Sequence, residues 1–242
     1  MKKIIRLLKG KKHICFLDFE GTQFTGEMIA YGAVLCTIDK QGHIKKSKNP
    51  ILFYVRAKNK IGHYVENLTH IDQKLLDKLG ISFSTAMNNL KHYCGLHFQK
   101  TAFVTFGNND LRILNQSIMY NLDSPKEITS VIHHNYIDFQ AIISSFIKDN
   151  SNNPLSLEAY CQLFEIGFEG EAHNPKFDAI NLMRLYEAML DRKDVLLENY
   201  LRTLYNTKHL PDPISKVMEK LNSGQTVDPD DFKKFSMEDL EW

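Results

Sequence analysis

Residues 15–21 read Cys-Phe-Leu-Asp-Phe-Glu-Gly, an apolar run with two carboxylates set into its far end. With Ile14 before it, this run suits a central strand, apolar on both faces. Strand side chains alternate, so Asp18 and Glu20 share one face and extend the stripe begun by Ile14 and Phe16. Unpaired buried charge is very costly, and no Lys or Arg lies between the two acids. Such a strand needs something cationic at its C-terminal end, and a divalent metal is the natural answer.

The segments around this strand set the fold class. Residues 28–38 (MIAYGAVLCTI) are rich in β-branched and aromatic residues, and Asp39-Lys40-Gln41-Gly42 reads as a tight turn. Residues 43–56 then carry a third strand, completing an antiparallel meander. Ile71, Leu75, Leu76 and Leu79 have helical spacing over 70–79, ended by Gly80. Ser84 is placed to cap a further helix through about Tyr93. Residues 101–106 form a short buried strand closed by Gly107-Asn108-Asn109. A helix starts near Asp110 and carries Leu111, Leu114, Ile118 and Met119 on one face. Residues 134–139 supply a last strand, and helices follow over roughly 138–148, 156–165 and 175–191. A meander followed by alternating helix and strand predicts an α/β domain, a mixed five-stranded sheet flanked by helices. The domain is expected over 1–194, with its core at about 13–190. Residues 195–242 are less patterned, punctuated by Pro211, Pro213, Ser223-Gly224 and Pro229, and read as an appendage with an acidic tail.

Composition excludes some classes. No apolar stretch is long enough to span a bilayer, and the basic N-terminus has no small-residue cleavage site after its broken apolar run. Four cysteines, Cys15, Cys36, Cys94 and Cys161, lie scattered in apolar segments without metal-ligand spacing. They are expected to be free buried thiols in a reducing cytoplasm. The formal net charge is only +1, yet the first third is rich in cations, including Lys2, Lys3, Arg6, Lys9, Lys11, Lys12, Lys45, Lys46 and Lys48. That flank is either a solvated surface or a track for phosphates.

A second chemical motif lies at 171–179, Glu-Ala-His-Asn-Pro-Lys-Phe-Asp-Ala. Asn is a favoured N-cap and Pro a favoured first helical residue. With Asn174 as cap, His173 and Asp178 take the two positions that meet in a hydrophobic staple. An imidazole and a carboxylate are thereby brought together at a helix start. Singly, His173, Asp178 and Asp110 each have an ordinary structural reading as capping or first-turn residues. The argument rests on the set.

The set resembles the DEDDh 3′→5′ exonucleases. Asp18-x-Glu20 on the first strand, Asp110 opening a helix after a later strand, and His173-x4-Asp178 at a final helix match that family's order. Asp18-Phe19-Glu20-Gly21-Thr22, Thr69-His70-Ile71, Phe106-Gly107-Asn108-Asn109-Asp110-Leu111 and Ser156-Leu157-Glu158 resemble flanking motifs, closest in style to the Eri-type exoribonucleases. Phe106 stands where that style usually has Trp, Pro175 where Ala is frequent, and Phe177 where an acid is frequent. The resemblance implies a ribonuclease-H-like fold and hydrolysis of single-stranded RNA or DNA from the 3′ end to nucleoside 5′-monophosphates. It implies two Mg²⁺ or Mn²⁺ ions held by Asp18, Glu20, Asp110 and Asp178, with His173 as general base. Gly21, Thr22, Phe24, His70 and Phe106 are expected to contact the terminal nucleotides. A proofreading subunit of a DNA polymerase, with a protein partner on its C-terminal segment, and an inactive nucleic-acid-binding scaffold are the alternatives.

Overall fold

This computed structural model describes residues 6–205, 210 and 212–240; Lys2 and Lys3, named above in the basic flank, lie outside them. The chain divides into two compact units, Met1–Ile143 with Ser156–Lys193, and Ser144–Leu155 with Asp194–Trp242.

The first unit is built on β1 (His13–Gly21). It pairs antiparallel with β2 (Met28–Ile38), from His13 opposite Thr37 to Gly21 opposite Met28, with the register shifting after Glu20. The expected third strand is divided into β3 (Ile44–Ser47) and β4 (Ile51–Tyr54), both antiparallel to β2. Pro50 lies in the gap and has no N–H for a ladder. The division raises the strand number to six. Helices α1 (His63–Thr69), α2 (Gln73–Leu79) and α3 (Phe83–Cys94) follow. The helix expected over 70–79 starts later, because His70 closes α1 with φ 56° and Asp72 caps α2 by accepting the Leu75 N–H at 2.7 Å. The cap of α3 is Ser82 rather than Ser84, accepting the Thr85 N–H at 3.1 Å. Next come β5 (Thr101–Thr105), α4 (Asn109–Tyr120), α5 (Lys126–His134), β6 (Tyr136–Asp138) and α6 (Phe139–Ile143). The helix expected to reach 148 stops at Ile143, where the chain passes into the second unit. Helices α7 (Leu157–Leu163) and α8 (Pro175–Asp191) complete the first unit.

Strand order is β3-β2-β1-β5-β6, with β4 also on β2; β5 runs parallel to β1 and to β6. Side chains of β1 sort by parity. Cys15, Leu17 and Phe19 join a buried cluster with Phe83 and Met87 of α3 and Ile113 and Leu114 of α4. On the other face, Phe16 meets the Tyr186 ring of α8, with centroids 5.3 Å apart. Asp18 and Glu20 belong by parity to this α8 face.

Residues 195–240, expected to be weakly patterned, contain α9 (Lys193–Tyr205), α10 (Asp212–Asn222) and α11 (Pro229–Leu240). Within the second unit, Phe146 and Tyr200 pack edge to face at 5.4 Å, and Lys216–Glu238 and Lys220–Asp231 are ion pairs at 2.9 and 2.6 Å.

Candidate active site

Each carboxylate arrives by its own route. Asp18 and Glu20 come from the α8 face of β1, beyond the point where its apolar stripe ends. Asp178 comes from the first turn of α8. One oxygen from each of these three lies within 4.8 Å of the others. The approach of α8 depends on a missing side chain. Gly32, the β2 partner of Asp18, would place a Cβ 2.0 Å from the Pro175 carbonyl oxygen. The bare backbone at Gly32 therefore lets the first turn of α8 rest on the sheet beside Asp18.

That turn is well anchored. Asn174 caps it through the Lys176 N–H at 3.2 Å, and Pro175 follows as the first helical residue. The preceding loop is held by Asn181, whose amide bonds both the N–H and the carbonyl of Glu169, at 2.9 and 3.0 Å. Arg184 adds an ion pair to Glu169 at 3.0 Å.

Asp110 reaches the same strand end from α4. The β1–β5 ladder stops at Phe16 and Val104, and three residues further on the Phe19 N–H donates to Asp110 at 2.7 Å. The carboxylate thus satisfies a backbone donor where β5 has ended. Its own position is braced from β6, the strand expected at 134–139, through contacts that sequence reasoning missed. The Gly107 N–H donates to Asp138 at 3.2 Å, and the Gly107 carbonyl accepts from the Tyr136 hydroxyl at 2.6 Å. Asp138 also accepts the Ala141 N–H at 2.9 Å. Gly107 has φ 97°, the left-handed region that glycine tolerates. The lone signal in sequence was an acid at the end of a short strand, which any helix cap would also explain.

Electrostatics suits the cluster to a cation. Burial pushes the Asp18 carboxyl well above its usual range, and Asp110, Glu20 and Asp178 push it further. Glu20 is raised to about 8 by burial and by Asp178 and Asp110. Asp110 is raised to about 7, burial outweighing the Phe19 N–H bond, and Asp178 to about 6, burial outweighing the His173 backbone N–H. Among the described residues no Lys, Arg or His pairs with any of the four. A buried set of hard oxygen donors without a cationic side chain fits a divalent metal.

The remaining predicted residues lie before α8, at the end of β1 and in the loop after it, at the end of α1 and after β5. His173 is exposed, with φ 63°, and meets Asp178 through its backbone N–H rather than through its ring. Gly21 ends β1 against α4, where a Cβ would lie 2.9 Å from Ile113 Cγ1. Thr22 is buried, and its hydroxyl accepts the Glu27 N–H at 2.9 Å, closing the loop after β1. Phe24 stands at the tip of that loop, 81% exposed. His70 is exposed at the end of α1, next to Ile71, which packs with Ala30, the partner of Glu20. Phe106 follows β5, half-buried and edge-on to Tyr160 at 6.0 Å.

Residues 2–116 match the family model described as "Putative abortive phage resistance protein AbiGi, antitoxin", a span just under half of the chain. No curated protein matches the sequence. Solved structures share the fold. The nuclease domain of 3′hExo, a DEDDh family member bound to rAMP, superposes with a TM-score of 0.59 at 19% identity, covering 75% of this chain and 92% of that one. Cell-death related nuclease 4 (CRN-4) gives 0.59 at 20% identity, over 75% of this chain and 64% of that one. Exonuclease I of E. coli with an oligo-dA strand gives 0.58 at 16% identity, over 81% and 44%. The first unit of this chain, with its acid cluster at the end of β1, has the fold of the DEDDh 3′-exonucleases.

Proposed function

We propose that this protein is a metal-dependent 3′→5′ exonuclease on single-stranded nucleic acid, RNA in preference to DNA, releasing nucleoside 5′-monophosphates. The observation that carries this reading is the convergence of Asp18, Glu20 and Asp178 within 4.8 Å, with Asp110 beside them on Phe19, on an exonuclease fold. The preference for RNA draws on the Eri-type style of residues 106–111 and on the rAMP bound to 3′hExo.

In this reading Asp18, Glu20, Asp110 and Asp178 hold two Mg²⁺ or Mn²⁺ ions. When bound, the metals supply positive charge for the attacking and leaving oxygens of a phosphodiester. His173, exposed at the start of α8, takes a proton from the attacking water at a ring nitrogen, a role for which imidazole is suited near neutral pH. The water oxygen bonds to the last phosphorus, and the 3′ oxygen of the preceding nucleotide leaves. Phe24, His70 and Phe106 offer ring faces to the terminal bases, Gly21 permits close backbone approach, and Thr22 shapes the loop that presents Phe24. The second unit is the candidate surface for a protein partner. An inactive scaffold is disfavoured because all four carboxylates and the histidine are retained.

Digestion of 5′-labelled single-stranded RNA and DNA, with Mg²⁺, Mn²⁺ or EDTA, tests the proposal. A ladder shortening from the 3′ end and abolished by EDTA is expected, faster on RNA. No cleavage in either metal would overturn it.

A further inference from the structure

The end of the sheet opposite the acids gathers cations. One recess there is lined by Lys9, Lys11 and Lys12, which lead into β1, and by Lys40 and Lys45 from the β2–β3 hairpin. A second recess is lined by His13, Lys46, Lys48 and His97, with the two imidazoles stacked at 3.9 Å. Lys12 and His13 are consecutive, as are Lys45 and Lys46, and one residue of each pair lines each recess. The two recesses therefore flank the same strand ends.

Opposing charge beside the recesses comes from α8, where Asp191 pairs with His43 at 3.3 Å and Glu187 lies near Cys36 and His43. Asp39 is the one acid lining either recess among the described residues, and its carboxylate accepts the Gln41 and His43 N–H groups of its own turn. Lys11 bonds Asn135, and Lys48 bonds the Tyr93 carbonyl. Lys9, Lys12, Lys40, Lys45 and Lys46 form no ion pair among the described residues. In a chain of net charge +1, this end is a local positive field. Among the described residues no Arg lines either recess. A lysine ammonium binds phosphate as a point charge, so spaced lysines suit a run of phosphates.

We propose that this end is a phosphate-backbone exosite, which holds nucleic acid at a distance from the acid cluster. The proposal rests on the nucleic-acid reading above. Along β1, Asp18 and Glu20 lie five and seven residues beyond His13, so the acids stand about 17–23 Å from that end at roughly 3.3 Å per residue. A dinucleotide at the acids cannot reach the lysines, and a long strand can.

The full chain is compared with a Lys12→Ala, Lys40→Ala, Lys45→Ala variant by fluorescence anisotropy in EDTA, using single-stranded RNA several tens of nucleotides long. Circular dichroism checks the fold. The variant is expected to bind the long strand at least about tenfold more weakly at low salt. Its log–log salt slope should be shallower by about 2, at ~0.7 per lost phosphate contact. Cleavage of a dinucleotide in Mg²⁺ should be unchanged. Unchanged long-strand affinity and slope would overturn the exosite, as would equal affinity of the wild type for poly-glutamate, which would indicate an acidic protein partner. Lysine-dependent binding without any cleavage would sink the nuclease reading and leave the exosite standing; cleavage with lysine-independent binding would do the reverse.

Discussion

Asp18 sits where an apolar stripe would otherwise continue, and three other carboxylates converge on it with no cationic partner among the described residues. The metal-free site is therefore under electrostatic strain that grows with pH. Carboxyls raised in the fold, to about 6 for Asp178, about 7 for Asp110 and about 8 for Glu20, bind protons more tightly there than in the unfolded chain. Their contribution to stability is fullest below the ordinary carboxyl range, near pH 4, and is lost as pH rises to about 8. In EDTA the melting temperature should fall across that window, and Mg²⁺ or Mn²⁺ should restore it most at the alkaline end. Asp18→Asn should raise the metal-free melting temperature at pH 8 by about 2–4 °C, for a gain of order 1 kcal/mol, while abolishing the metal-induced shift. A flat profile in EDTA would mean the acids are not forced together. His173→Ala should cut turnover by about 10²–10⁴ and leave the metal-induced melting shift intact. Near-normal turnover would remove His173 from the base role.

Elements deliver these residues through close contacts that leave no slack. α8 reaches Asp18 only because β2 carries no side chain at Gly32. Gly32→Ala should force α8 off the sheet, at a cost of about 1–3 kcal/mol as for other overpacked sites, and weaken metal binding although no ligand is changed. Calorimetric metal titration reads this directly; wild-type affinity would show that α8 can shift without moving Asp178. On the other side, β6 braces the Gly107 turn that precedes Asp110. Asp138→Ala leaves the Gly107 and Ala141 N–H groups without their partner, and is expected to destabilise by about 1–3 kcal/mol, measured by urea unfolding. The split of the expected third strand belongs to this scale too. Residues 43–56, with the apolar run 51–55 at their heart, read as one strand, but 44–47 and 51–54 pair with separate stretches of β2 on either side of Pro50.

For the whole molecule, two units share one chain, and the segment Ser144–Leu155 belongs with the C-terminal helices rather than with its sequence neighbours. Metal added to the protein should slow amide exchange in β1 and the start of α8 and leave α10 and α11 unaffected; protection spread equally over both units would contradict this division. The α/β class was legible because apolar runs at 13–20, 28–38 and 101–106 alternate with helical spacing farther on. Asp18 and Glu20 stood out because period two put them on an apolar face. The helical character of 193–240 was hidden by its prolines, yet two of them, Pro213 and Pro229, lie in first turns, where no N–H is required. Local sequence, through periodicity, caps and punctuation, determined which segments became strands and helices and marked the acids on β1. Only the tertiary structure decided that Asp178 would meet Asp18 across Gly32, that Asp110 would take the Phe19 N–H where β5 stops, and that Asp138 would brace Gly107. Each of these depends on contacts between residues far apart in the chain, which no local pattern records.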